Sequence, residues 1–395
     1  MKKKILFMII NMNIGGTEKA LLNLVNEMSP DEYDVTILML EKKGGFLDSI
    51  PEGISIEYVN SKEKIKDLIN NPPHLSSLKY FMNGKFISAF CILFLHLISK
   101  LIKDRSLYYK YLLRNYRKSN KNYDVAVAFA GPMELITYFI LNKVKAKKRF
   151  QWIHFDVTKI GFNENFSSKL YNEFDKVFVV SEDARNKLLN IIPTIKDKTE
   201  VIRNIVSPSV IRYKTMENKG FSDNFRGIRI LTIGRLTPEK GQDLAINALA
   251  KLINEGFNVK WYCIGEGTSR DKYEHLIKYY NLNDNFILLG AKSNPYPYLN
   301  QCDIYVQPSR YEGYCITLIE ARCLKKPIIT TDVNGSREQI NNGETGLIVP
   351  IDEFEIYNAV KKLILDTSIT NTFISNLDKE NLDSNIELTK FFKAV

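Results

Sequence analysis

The 395-residue chain is sparing in the features that mark several common protein classes. It has five cysteines, Cys91, Cys263, Cys302, Cys315 and Cys323. Their number is odd and none forms a C-x-x-C pair, which argues against a disulfide framework or a zinc site and for a reducing cytosol. No G-x-G-x-x-G follows a strand pattern, which counts against a dehydrogenase. There is no short-period repeat and no low-complexity tract. No apolar run reaches the roughly 20 residues that span a bilayer. The strongest candidate, "FISAFCILFLHLISKLIK" at 86–103, is interrupted by His96 and Lys100. The opening "MKKKILFMIINM" resembles a signal peptide weakly. No small-residue cleavage site follows and the run enters a glycine turn, so a buried first strand is expected.

The basic excess belongs to one half. Residues 1–200 hold 31 Lys+Arg against 22 Asp+Glu, whereas residues 201–395 hold 24 against 23. The first half is therefore the likelier to meet an anionic surface. The imbalance peaks over 81–120, where Lys85, Lys100, Lys103, Arg105, Lys110, Arg114, Arg117 and Lys118 face only Asp104. Two readings stand level here: a core helix with a solvated basic continuation, or a helix lying on an anionic membrane.

Hydrophobic residues make up 45% and charged residues 25%, ordinary for a folded domain, and the length suggests two domains. Apolar, β-branched runs alternate with helical patterns: "KILFMII", "YDVTILML", "ISIEYV", "DVAVAFA", "RFQWIH" and "KVFVVS", then "IRILTIG", "VKWYCIG", "NFILLG", "DIYVQPS", "KPIITT" and "GLIVP". Continuous apolar strands between helices imply parallel sheets covered on both faces. The alternation restarts near residue 206, with the polar stretch 213–227 as linker. The pattern predicts an α/β chain of two Rossmann-like domains, 1–206 and 207–395, facing across a cleft. Ligands in such sheets bind beyond the carboxyl ends of the strands.

After the first strand, Gly15 and Gly16 allow close backbone approach, and Thr17 is expected to cap the helix that follows. Free amides at that helix start suit phosphate, although a tight turn needs glycine for geometry alone. After "ILTIG", Arg235 and Lys240 follow Gly234, and two cations there suit a diphosphate. Solvated surface cations are the plain alternative. "IGEG" (264–267) and "LLGAKSN" (288–294, with Gly290) end strands in turns that could meet a flat base. After "DIYVQPS" comes "RYEGYCITLIEAR". Glu312 is expected in a loop and Glu320 inside the next helix. Carboxylates accept hydrogen bonds from sugar or ribose hydroxyls. The amides from Gly313 and Tyr314 through Ile316 and Thr317 open toward phosphate or sugar oxygens. The plain alternative leaves Glu312 solvated and Glu320 paired to Arg322 or a lysine. Glu312 and Lys240 are expected to be surface groups of the cleft whose replacement changes stability little.

As a set these motifs resemble the retaining glycosyltransferases of the GT-B fold, family 4. The resemblance covers nearly the whole chain, most strongly 228–350 and least 60–120. The E-x7-E signature runs from Glu312 to Glu320, "GRLTPEKG" is similar to the family's phosphate segment, and "NIGGTEKAL" to its amino-terminal donor loop. The resemblance implies that Arg235 and Lys240 stabilise the leaving diphosphate. It further implies that Glu312 contacts the donor sugar, Glu320 the ribose and Gly16 the phosphate–sugar junction. His154, in "QWIHFD", is similar to a family histidine near the donor sugar; a lone histidine is otherwise more often structural. No two aspartates stand two apart, so no D-x-D holds a cation, and Arg235, Lys240 and helix amides are expected to act without a metal. The implied donor is a UDP- or GDP-linked hexose or N-acetylhexosamine. The implied acceptor is a polyprenyl-diphosphate-linked glycan of cell-surface polysaccharide synthesis, reached from the cytoplasmic face of the plasma membrane. No nucleic acid partner and no cofactor are expected. A nucleotide-sugar epimerase of similar fold and a noncatalytic partner of another transferase are the rivals. The last would be favoured by loss of Glu312, Arg235 or Lys240, all of which are present.

Overall fold

The computed structural model describes residues 1–59, 72–116, 120–382 and 385–395. The chain forms two compact units. One comprises Met1–Asn13, Leu24–Ile202 and Lys390–Val395, the other Ile14–Asn23 and Arg203–Thr389.

The first unit carries seven parallel strands: β1 (Lys3–Ile9), β2 (Tyr33–Met39), β3 (Ser55–Tyr58), β4 (Asn122–Gly131), β5 (Lys145–Ile153), β6 (Lys176–Val179) and β7 (Thr199–Val201). Their order is β3-β2-β1-β4-β5-β6-β7. The first six coincide with the apolar runs; β7 is too short and too polar to stand out. Ile5 to Ile9 of β1 are all buried, as a strand covered on both faces requires. The chain's last segment adds Phe391, fully buried against Phe7, Trp152 and Phe178.

The second unit carries six parallel strands: β8 (Ile228–Ile233), β9 (Val259–Ile264), β10 (Phe286–Leu288), β11 (Ile304–Gln307), β12 (Ile328–Thr331) and β13 (Leu347–Val349). Their order is β10-β9-β8-β11-β12-β13. Thr232 on β8 donates to the Val306 carbonyl at 2.7 Å and accepts from the Trp261 indole at 3.0 Å, so its buried hydroxyl is satisfied. The order reverses at β1 and at β8, and the loops that follow β8 and β11 border the switch point of the second sheet.

The units differ from a single cut at 206. The first ends at Ile202, and residues 14–23 cluster with the second. Named contacts account for this: Asn23 donates to the Ile205 carbonyl at 2.8 Å, and Lys19 pairs with Glu320. Among the described residues no helix is long and apolar enough to cross a membrane.

Candidate functional site

Strand β8 ends at Ile233, and Gly234 and Arg235 follow. A short turn, Pro238–Lys240, then leads through Gly241 into the helix Gln242–Asn254. Gly241 has φ +69°, and a Cβ there would sit 1.9 Å from the Pro308 carbonyl oxygen. Only glycine lets the turn that carries Lys240 lie against the loop after β11. The consequence is direct contact: Lys240 Nζ lies 2.7 Å from both oxygens of Glu312.

Glu312 is held by two further side chains. Ser309 Oγ donates to Oε1 at 2.6 Å and Gln307 Nε2 approaches it at 3.4 Å. Gln307 Nε2 also donates to Ser309 at 2.8 Å, while its Oε1 accepts from Tyr305 and from Thr317 Oγ1, the latter at 3.1 Å. The carboxylate is thus preorganised and buried. This corrects the expectation of surface groups. Glu312 is buried and the Lys240 side chain is only 19% exposed, because each satisfies the other. Burial alone would lower the Lys240 pKa; the Glu312 charge outweighs it and holds the ammonium above its ordinary value.

Glu320 lies in the helix Ile316–Cys323, which begins after Cys315. It has no exposure at all. Its Oε1 takes both Lys19 Nζ, at 2.6 Å, and the Tyr296 hydroxyl, at 3.1 Å, while Oε2 is buried without a partner. Lys19 also stands 4.4 Å above the centre of the Tyr296 ring. Arg322 is engaged elsewhere, with Glu380 at 2.9 Å.

The glycine segment supplies the amino end of the helix Gly16–Asn26. Thr17 is not its cap. The Gly15 carbonyl accepts from the Lys19 amide at 3.0 Å, so the helix begins one residue before Thr17. Gly16 has no positive φ, and a Cβ on it would meet only Ile316 Cγ2 at 4.0 Å. Neither conformation nor packing demands glycine there, and its missing side chain leaves open space. Beside it Glu18 folds back over Gly15, where a Cβ would sit 2.5 Å from its Oε2. Burial pushes the Glu18 carboxyl up to about 7, against the opposing pull of its own backbone amide and of Arg235.

Arg235 is about half exposed and pairs with Glu239 at 3.2 Å. Gln242, fully buried, donates to the Arg235 carbonyl at 2.8 Å and so fixes the backbone after β8. A Cβ at Gly234 would make only ordinary contacts, the nearest 3.6 Å from Lys240. Gly290 has φ +73° and accepts from the Gly265 amide at 3.0 Å. The Tyr314 carbonyl accepts from Asn204 at 2.9 Å, and burial pushes its phenol up to about 12. Gly313 lies in the loop between Glu312 and Tyr314.

His154 belongs to the first unit, immediately after β5. Its ring lies parallel to Trp152 and 4.5 Å from Phe129, and its Nε2 is buried without a partner. Burial drives its pKa down to about 3, so the imidazole is neutral near pH 7.

Sequence reasoning missed Lys19, Tyr296, Gln307, Ser309 and Gly241. Gln307 and Ser309 carried a signal, as polar residues closing an apolar strand; Lys19 and Tyr296 carried none. Among the described residues no group of three or more His, Cys, Asp or Glu is placed to hold a metal ion.

Residues 219–380 match the sequence model of a family described as "Glycosyl transferases group 1". The chain is 30% identical over 213 residues to N-acetylgalactosamine-N,N'-diacetylbacillosaminyl-diphospho-undecaprenol 4-alpha-N-acetylgalactosaminyltransferase of Campylobacter jejuni, covering 53% of this chain and 56% of that one. It is 29% identical over 214 residues to the capsular polysaccharide biosynthesis glycosyltransferase CapM of Staphylococcus aureus, covering 51% and 55%. The chain therefore spans about half the length of the curated relatives it matches. In structure it is similar to Anabaena HepE solved with UDP and glucose, with TM-score 0.69, 18% identity and 99% and 98% of the two chains covered. It is also similar to a Staphylococcus aureus TarM variant solved with UDP, with TM-score 0.70, 16% identity and 99% of each chain covered. These likenesses establish the GT-B fold, two Rossmann-like α/β domains.

Proposed function

We propose that this chain, whose residues 219–380 are those of a group 1 glycosyl transferase, is a retaining enzyme. It moves a hexose or N-acetylhexosamine from a UDP- or GDP-sugar to a lipid-linked glycan in cell-surface polysaccharide synthesis. The observation that carries this reading is the Lys240–Glu312 pair, held at the switch point of the second sheet with Arg235 after the neighbouring strand. Breaking a sugar–phosphate bond builds negative charge on the departing diphosphate. Cations and helix amides fixed in advance stabilise that charge without reorganising. In this reading Lys240 and Arg235 meet the diphosphate, and Glu312 meets the sugar hydroxyls. Gly16 leaves room at the phosphate–sugar junction, and Glu320, wholly shielded in this structure, takes the ribose hydroxyls once the Lys19 ammonium that covers it moves aside. Gly15, Thr17, Gly234, Gly290, Gly313, Tyr314, Ile316 and Thr317 line the donor through their backbone. The neutral His154 offers a hydrogen bond rather than a charge.

Support for the donor and acceptor comes from the relatives. HepE and TarM were solved with UDP, and the Campylobacter enzyme is named for a diphospho-undecaprenol acceptor. A lipid-linked acceptor places the protein at an anionic membrane surface, on its cytoplasmic side. The test is incubation of purified protein with UDP- and GDP-sugars and a polyprenyl-diphosphate glycan, read by mass spectrometry. Sugar added to the lipid supports the proposal. An epimerised donor would replace it with the epimerase reading, and no reaction with any donor would favour a noncatalytic partner.

A further inference from the structure

The helices Pro73–Met82 and Phe86–Leu101 form a consecutive pair in the first unit whose burial is inverted. In a water-soluble helix large apolar side chains face inward and small or polar ones outward. Here the buried positions of the first helix are Ser76 and Ser77, and those of the second are Ala89, Ile92 and Ser99. Ser77 Oγ donates to the Ala89 carbonyl at 2.8 Å, so a small polar residue seals the contact between the helices. Apart from Ile92, most of the large side chains point away. Phe86, Ile87, Phe90, Phe94, Leu97 and Leu101 are all exposed, Ile87 and Leu101 at 82%. At 100° per residue these six fall within an arc of about 100° on the helix surface. Leu75, Leu78, Phe81 and Met82 extend the apolar surface onto the first helix, where the Phe81 ring meets Phe86 at 4.9 Å.

Small residues at the helix contact with large apolar ones outside is the packing of helices surrounded by lipid. The charges near the pair agree. From residue 72 to 116 the basic residues are Lys79, Lys85, Lys100, Lys103, Arg105, Lys110 and Arg114. The single acid, Asp104, is paired with Lys169 at 3.0 Å. Neither helix is long enough to cross a bilayer.

We infer that the Pro73–Leu101 helix pair lies in the plane of a bilayer interface with its apolar face among the acyl chains, and that this insertion, more than surface charge, holds the protein on lipid. The inference deepens the membrane reading of the proposed function and rests on it for its biological setting. Its test uses vesicles without any glycan acceptor, so the two fail separately. Full-length protein is co-sedimented with phosphatidylcholine vesicles, with and without phosphatidylglycerol. At 1 M salt the Debye length falls to about 3 Å, which removes attraction between exposed charges. Wild type is expected to pellet with both compositions, more strongly with the anionic one, and to stay bound at high salt. The double variant Phe90→Glu/Leu97→Glu, with an unchanged melting curve, is expected to bind about tenfold or more weakly. A second reporter is independent of that variant. Trp152 and Trp261 are buried, so in Phe90→Trp the added fluorescence reports on position 90, and acyl-brominated lipid is expected to quench it. Complete release by salt, undiminished binding of the double variant, or an unquenched indole would overturn the inference. So would a dimer that the double variant dissociates and that ignores vesicles, since the face would then belong to a second copy.

Discussion

Lys19 and Glu320 form an ion pair at 2.6 Å in which the carboxylate is wholly shielded from solvent. A buried charge that loses its partner keeps its desolvation cost. Lys19→Met is therefore expected to destabilise the fold by about 3 kcal/mol, measured by denaturant unfolding. Adding Glu320→Gln to it should recover most of that loss. Additive losses in the double variant would show that the pair carries no coupling.

The Lys240–Glu312 pair calls for a matched choice of substitutions. Glu312→Gln keeps the shape and one acceptor but removes the charge that neutralises Lys240, so it should lower transfer by about 100-fold or more and cost about 1 kcal/mol of stability. Glu312→Ala should cost about 2 kcal/mol or more of stability, because Lys240 and Ser309 lose their acceptor. Unimpaired turnover in Glu312→Gln would remove Glu312 from the reaction.

In the proposed reaction Arg235 and Lys240 carry the diphosphate charge in place of a divalent cation. Transfer is expected to survive EDTA at full rate. Loss with chelator, restored by Mg²⁺ or Mn²⁺, would mean that these cations do not carry the diphosphate charge.

Glu18 gives the fold a pH dependence of definite sign. Its carboxyl stands at about 7 in the fold against an ordinary value of 4.5, chiefly through burial. The folded state therefore binds the proton more tightly, and this contribution to stability declines as pH rises from about 4.5 to about 7. Denaturation midpoints across that window should lose this slope in Glu18→Gln. A charged Glu18 beside Gly15 and Arg235 should also repel a diphosphate, so the wild-type donor KM should rise with pH through neutrality and that of Glu18→Gln should not.

His154 works in the opposite sense. Burial lowers it to about 3 from an ordinary 6.5, so the unfolded chain takes up the proton first. Its contribution is complete above pH 6.5 and is lost as pH falls toward 3. Removing it in His154→Gln should flatten the acid limb of the stability profile. The Glu18 and His154 windows overlap, and the two single variants separate them.

The twelve apolar runs were legible because a strand covered on both faces must be apolar throughout. β7 was not, since three residues with Glu200 among them lack that pattern. Glu312 and Lys240 were legible as candidates but not as a buried pair. Their contact depends on Gly241 passing close to Pro308, a fact of packing that no local sequence states. The apolar run at 86–103 was read either as core or as membrane surface. Hydrophobicity alone does not say what covers a helix. In the fold Phe86, Ile87, Phe90, Phe94, Leu97 and Leu101 stay exposed, so the run is not a core helix. Arg114 stacks over the Tyr111 ring, whereas Arg117 and Lys118 of the same basic stretch lie outside the described residues.

The membership of residues 14–23 in the second unit bears on how this protein can be cut and recombined. A fragment begun at residue 207 would retain Glu320 and Tyr296 but leave Lys19 behind, stranding a carboxylate built to be neutralised by a residue from the far end of the gene. The same fragment would carry off Phe391, which fills the aromatic core around Trp152 in the other piece. Exchanging second units between related chains would thus succeed more often if the ten residues from Ile14 to Asn23 travel with the carboxyl-terminal piece and the last six remain with the amino-terminal one.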